Sequence, residues 1–213
     1  MSDSEMTSYP VRFSVDYPDR ELNRLTTFFR LLVALPILIV IGLLTSGTFQ
    51  YNESGEAAQT GIASGGILFV PVLLLIVFRQ KYPRWWYEWN LHFQRFANRV
   101  AAYLLLLRDE YPSTDEEQAV HLDFPYPDAR TDLNRWLPLV KWLLAIPHLV
   151  VLVFLTFGAI VAALISWVAI LITGRYPRSL FDFVVGVMRW HNRVVGYALT
   201  LVTDAYPPFR LNP

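Results

Sequence analysis

From Trp142 to Gly174 the chain runs for 33 residues without a Lys, Arg, Asp or Glu. One helix over that stretch is about 50 Å long at 1.5 Å per residue. The hydrocarbon core of a bilayer is about 30 Å thick and takes about 20 apolar residues. Leu31–Asn52 and Ala57–Phe78 are free of charge in the same way. A chain of 213 residues has too little outer shell to bury all of these as soluble core helices. The expected fold class is therefore an all-α integral membrane protein. Four transmembrane helices are expected over 25–45, 62–79, 136–156 and 158–174, the last two joined by a tight turn at Thr156-Phe157-Gly158.

Composition supports this class. Apolar residues make up 54% and charged residues 17%, against about 25% charged in ordinary soluble domains. That excludes disorder, which needs low hydrophobicity and high net charge. The lack of cysteine excludes disulfide scaffolds and Cys-ligated metal sites. The balance of 18 basic and 18 acidic residues argues against a globally basic nucleic-acid binder. The polar tail over 1–8 lacks the basic start of a signal peptide, so the first span reads as an uncleaved anchor. The Ser46–Gly61 loop has no Lys or Arg. Basic flanks stay in the cytoplasm, so the expected location is the cell membrane, multi-pass, with both termini cytoplasmic.

The chain also matches itself. Tyr17-Pro18-Asp19 returns as Tyr126-Pro127-Asp128, and Leu22-Asn23-Arg24 as Leu133-Asn134-Arg135. Arg30 and Pro36 match Lys141 and Pro147. Later, Tyr82-Pro83-Arg84 matches Tyr176-Pro177-Arg178, and Arg95, Asn98, Arg99 and Tyr103 match Arg189, Asn192, Arg193 and Tyr197. Asp109 and Asp204 close the series. Two parallel tandem repeats are expected, over 9–112 and 120–213, joined by an acidic linker over 113–119. Each repeat is read as a short β segment with alternating apolar residues (Val11, Phe13, Val15; Val120, Leu122, Phe124), two spans, and a cytoplasmic amphipathic helix.

The blocks YPVRFSVDYPDRELNRL, WLPLVKWLLAIPH and RYPRSLFDFVVGVMRWHNRVVGYALTLVTDAYPPF, with their first-half partners, resemble the domain-of-unknown-function 4389 family of bacterial membrane proteins. The resemblance covers nearly the whole chain in two copies. It implies a membrane location and no established activity.

Within Trp85–Leu107, Glu88, His92, Arg95 and Arg99 fall on one helical stripe, and Asp182, Arg189 and Arg193 repeat it. Three arrangements are open. The helices lie on the cytoplasmic leaflet with Glu88/Arg95 and Asp182/Arg189 as salt-bridge partners. Alternatively, the two stripes face each other and form a groove in which Arg95, Asn98, Arg99, Arg189, Asn192 and Arg193 bind an anionic headgroup, since guanidinium is a bidentate phosphate donor. In the third, the helices are additional spans, at about 2.5–3.5 kcal/mol per buried Arg.

Reaction chemistry is not evident. The four histidines have no matched positions and no His-Glu-x-x-His spacing. No metal or cofactor is expected, and no catalytic residue stands out. Arg30 and Lys141 are expected to snorkel from their spans, and His148 to be a neutral helix-contact residue. The expected function is a non-enzymatic scaffold or accessory subunit. Its partners would be the bilayer with its anionic lipids, a protein complex or a second copy, and not nucleic acid. A small transporter or lipid-headgroup-binding protein is the alternative, and a lipid-modifying enzyme the third.

Overall fold

The computed structural model describes residues 9–45, 50–51, 57–58, 70–114 and 116–213. The polar tail and most of the expected outward loop lie outside the described residues, as does the start of the span expected over 62–79. The element order is β1 (Arg12–Val15), α1 (Arg24–Phe28), α2 (Arg30–Thr45), β2 (Gln50–Tyr51), β3 (Ala57–Ala58), α3 (Val70–Arg79), α4 (Arg84–Leu104), β4 (Val120–Asp123), α5 (Pro138–Thr173) and α6 (Arg178–Ala198). The fold is mostly helical.

The alternating segments form strands, as their period requires. β1 and β4 pair antiparallel with Phe13 opposite Leu122. Phe13, Val15, Val120 and Leu122 point inward, while Arg12, Ser14 and His121 face out. Pro83 and Pro177 each precede a long helix with extended ψ, which sets α4 and α6 off from the chain before them. Asn23 caps α1 by accepting from the Leu25 and Thr26 amides.

α5 corrects the expected span pattern. It is one continuous helix of 36 residues, about 54 Å long, with no turn at Thr156-Phe157-Gly158. Nothing in the sequence stops it there, because Gly158 has an ordinary negative φ and the left-handed stop comes at Gly174 (φ 77°). Among the described residues, α5 is the one helix long and apolar enough to cross a membrane. The expected first span is also divided: α1 ends at a Phe29 cap and α2 begins at Arg30.

α6 folds back along α5. Phe183 meets Gly158, Trp190 bonds to His148, and Tyr197 lies beside Lys141. The chain from Val11 to Leu22 then runs back along α6: Val11 touches Gly196, Arg189 bonds to Phe13, and Tyr17 packs on Phe181. Leu22 N–H finally donates to Gly174 O at the end of α5. The layers are therefore α5, then α6, then the strand pair, with α4 over β4. Phe13, Leu122, Phe124, Phe181 and Val184 meet in the core between them, each worth about 1.5–3 kcal/mol of burial. One stripe of α5, from Lys141 through His148, Leu152, Ala159 and Ser166 to Ile170, is buried. Its outward side is exposed and apolar, including Leu143, Val150, Phe157, Leu164 and Ile172.

Continuity at Gly158 and close packing at Gly196 make opposite predictions. A Cβ at Gly158 meets the Phe183 ring at 3.4 Å, an ordinary contact, whereas at Gly196 it falls 2.6 Å from Val11 Cγ2. Gly158→Ala is expected to stabilise by about 0.5–1 kcal/mol. Gly196→Ala should cost about 1–3 kcal/mol by forcing β1 away. Thermal unfolding in detergent micelles measures both, and a large loss at Gly158→Ala would restore the turn.

Candidate functional site

The residues expected to bind a ligand gather on the inner faces of α4 and α6. Asn98 and Asn192 meet where the helices cross. Asn98 Nδ2 donates to Asn192 Oδ1 at 2.8 Å, and Asn192 Nδ2 donates to Asn98 Oδ1 at 2.7 Å. Each amide spends its second N–H on a carbonyl one turn back, Gln94 O or Met188 O. Those carbonyls can only accept, which fixes the atom facing each of them as the amide nitrogen.

The arginines on either side hold backbone carbonyls. Arg95 Nε donates to Leu122 O at 2.9 Å on β4, and Arg189 Nε donates to Phe13 O at 3.0 Å on β1. Arg99 Nη1 donates to Ser113 O at 2.8 Å. Arg193 donates to Arg210 O and Asn212 O, and Arg189 Nη1 to Leu211 O. Burial draws the pKa of Arg189 and Arg193 down from the usual value, but an arginine so bonded remains a cation. Gly186 makes room for this tail, because a Cβ there would sit 2.9 Å from Leu211 Cβ. Arg95 and Arg99 line a polar cleft of about 280 Å³ with Arg12, Glu117, His121 and Asp123. Asp123 pairs with Arg12 at 2.8 Å and lies 3.7 Å from Arg95.

The expected acidic partners pair elsewhere. Glu88 bonds to Arg84 at 2.9 Å and Asp182 to Arg178 at 3.2 Å, each four residues apart on the surface. A residue one turn away is already in place, whereas Arg95 and Arg189 turn inward to strand carbonyls. Such exposed pairs are worth about 0–1 kcal/mol.

The most buried charges were not expected to pair. Lys141 and Arg30 do not snorkel. Lys141 is fully buried, forms an ion pair with Asp204 at 2.7 Å and donates to Thr203 O at 2.7 Å, with Nζ 5.0 Å from the Tyr197 ring centre. Arg30 bonds to Asp109 at 2.5 Å and to Arg108 O at 2.9 Å, stacked 4.1 Å over Tyr103. Each carboxylate also accepts an amide at a helix approach, Asn23 N–H for Asp109 and Asn134 N–H for Asp204. The signal was in the sequence: both cations and both acids are matched positions.

Tyrosines complete the frame. Tyr17 OH donates to Tyr176 O, Tyr126 OH to Tyr82 O, and Tyr82 OH to Thr200 O. Burial pushes the Tyr82 phenol well above its usual range, so it stays a neutral donor. The Arg108 guanidinium, bonded at 2.6 Å, holds the Glu110 carboxyl below the usual carboxylate range. His148 Nδ1 accepts from Trp190 Nε1 at 3.1 Å, and its ring stacks on Phe209 at 4.0 Å. Among the described residues no three His, Cys, Asp or Glu side chains converge as metal ligands.

Residues 136–210 match the family profile of a domain of unknown function, DUF4389. The matched stretch is about a third of the chain and contains α5 and α6, ending at Arg210. Residues before Trp136 lie outside it. No curated protein and no solved structure matches the chain.

The amide pair predicts coupling. Asn98→Ala and Asn192→Ala should each cost about 1–3 kcal/mol, because each leaves the other amide partly unpaired. The double variant should cost less than the sum of the two. Chemical unfolding of the four proteins gives the cycle, and additive losses would dissociate the two amides.

Proposed function

We propose that the chain is a non-enzymatic membrane scaffold or accessory subunit, built from two tandem copies of one unit and seated in the cytoplasmic leaflet. The observation that carries the reading is the charged chain from Val11 to Leu22, which lies along α6 and reaches the Gly174 end of α5. Arg12, Asp16, Asp19 and Arg20 are exposed along that path. Standing α5 upright would carry these side chains into hydrocarbon, at about 2.5–3.5 kcal/mol for each Arg or Asp at the midplane. Laid in the membrane plane, α5 presents its apolar side to acyl chains and keeps the strands in water. A helix is about 10 Å across, which suits one leaflet. The exposed apolar side chains of α1 and α2, such as Phe28, Leu31 and Leu35, extend the same contact. In water a patch of this size is a liability.

The duplication is supported by bonds that repeat between matched positions. Arg95 to Leu122 corresponds to Arg189 to Phe13, Arg30–Asp109 to Lys141–Asp204, and Tyr17 to Tyr176 corresponds to Tyr126 to Tyr82. Asn98 and Asn192 then meet on the axis that relates the copies, and each long helix packs on the other copy's strand. Both termini fall on the cytoplasmic side in this reading. The scaffold role follows from cations bonded to carbonyls and carboxylates rather than arranged around a reacting group. A headgroup site at Arg189 and Arg193 would first have to displace residues 210–212. The partner is a protein complex or a second copy.

The lack of native cysteine makes the seating directly testable. Single cysteines at Leu143, Val150, Phe157, Leu164 and Ile172, spin-labelled in bilayers, are expected at one shallow depth, with Ser14→Cys open to a water-soluble thiol reagent. A depth profile that peaks at the bilayer midplane near Phe157 would overturn it. Native mass spectrometry after gentle extraction should show a partner or a second copy, and a bare monomer would count against the scaffold role.

A further inference from the structure

The α4 and α6 halves of the molecule differ in what their matched arginines hold. In the α6 half, Arg189 Nε donates to Phe13 O, and Nη1 donates to Leu211 O at 2.7 Å. Arg193 takes the carbonyls on either side, Arg210 O and Asn212 O. A stretch of chain with neither helix nor strand is thus bound through its backbone. In the α4 half, Arg95 Nε donates to Leu122 O and Arg99 to Ser113 O. Ser113 takes the place of Arg210, and no carbonyl takes the place of Leu211. The Arg95 Nη groups make no hydrogen bond among the described residues. Nη2 stops 3.7 Å from Asp123, too far for a hydrogen bond. The Arg95 side chain is 35% exposed and lines the cleft of about 280 Å³, so a ligand can reach it.

We propose that this cleft docks a peptide segment of a partner protein as Arg189 docks Leu211, with one partner carbonyl accepting from Arg95 Nη–H. Three features define the segment. The acceptor is neutral, because Asp123 and Glu117 also line the cleft and would repel an anion. The residue that carries it is glycine. His92 stands in α4 where α6 has Gly186, three residues before the matched arginine. A Cβ at Gly186 would come 2.9 Å from Leu211 Cβ. Residue 92 has that Cβ, so the partner residue facing it must have none. Glu117 has no ion pair among the described residues, which favours a basic residue next to the glycine. The 206–213 segment of a second copy fails the second condition through Leu211, so the partner is a different protein. The cleft opens beside Arg12, Ser14 and His121, which face out from the strands, on the side that the seating above keeps in water. The inference rests on the duplication proposed above, which matches α4 with α6.

Two fluorescein-labelled peptides test this by anisotropy with the full chain in mild detergent. One has the sequence of residues 206–213, and the other is the same with Leu211→Gly. The native tail, being tethered, keeps the α6 site closed to both. Saturable binding of the Leu211→Gly peptide is expected, about tenfold tighter than the unaltered one. His92→Gly should remove that preference by admitting leucine, and His92→Ala, which keeps the Cβ, should not. Arg95→Gln should weaken binding about tenfold. Because Arg95 also holds β4, Ser14→Trp serves as the second variant. It fills the cleft without removing the Leu122 bond and should abolish binding. No saturable binding of the Leu211→Gly peptide, or binding unchanged by Ser14→Trp, would overturn the cleft as a docking site. Binding that Ser14→Trp abolishes but whose preference ignores His92→Gly would overturn the match of α4 to α6, and with it the duplication.

Discussion

An apolar helix of 36 residues imposes a surface that the other described residues cover along one stripe only. α6 and the connecting chain protect one stripe of α5 and leave the rest facing outward. Every other layer is arranged around that single covered stripe. The small or polar residues on it, Ala145, His148, Ala159, Ala162 and Ser166, are where α6 and the chain around Tyr176 come close. The large aliphatic residues are on the far side, where they gain nothing from the protein and need another apolar medium.

The polar side of the molecule solves the opposite problem. Strands of four residues are too short to be stable as an isolated pair. They are held because α4 donates to one through Arg95 and α6 donates to the other through Arg189. Those bonds also satisfy carbonyls on strands that have no further neighbour in the sheet. Lys141 and Arg30 work the same way at the helix starts, where each buried cation binds a carboxylate and a carbonyl together. Removing one member of such a group strands the others, which is how a few side chains can fix the relative position of several elements.

Much of this frame could be read from residues in order. Alternation marked both strands, and the Tyr-Pro breaks marked the starts of α4 and α6. The family resemblance was sound for the second half, where residues 136–210 match the profile. The pairing of Arg84 with Glu88 and Arg178 with Asp182 also obeys local spacing. Arg95 and Arg189 lie seven residues from the same acids, two turns away, and the cation one turn away takes the carboxylate first. Bilayer thickness predicts a turn at Gly158 only for a helix that stands upright, and α5 runs through that position without one. A helix that need not stand upright has no such limit.

The sequence alone therefore determined which segments are apolar, where the paired strands, α4 and α6 begin, and which positions recur. These depend on local period, on proline and on composition. The tertiary structure decided the partners: that β1 joins β4, that the asparagines bond to each other, and that the arginines choose carbonyls over nearby acids. A side chain's bonding capacity is written in its identity, but its partner is set by whichever group the folded chain brings within about 3 Å. The continuity of α5 belongs to the same class. Gly158 permits either a turn or a helix, and Phe183 packed against it is part of the environment in which the helix persists.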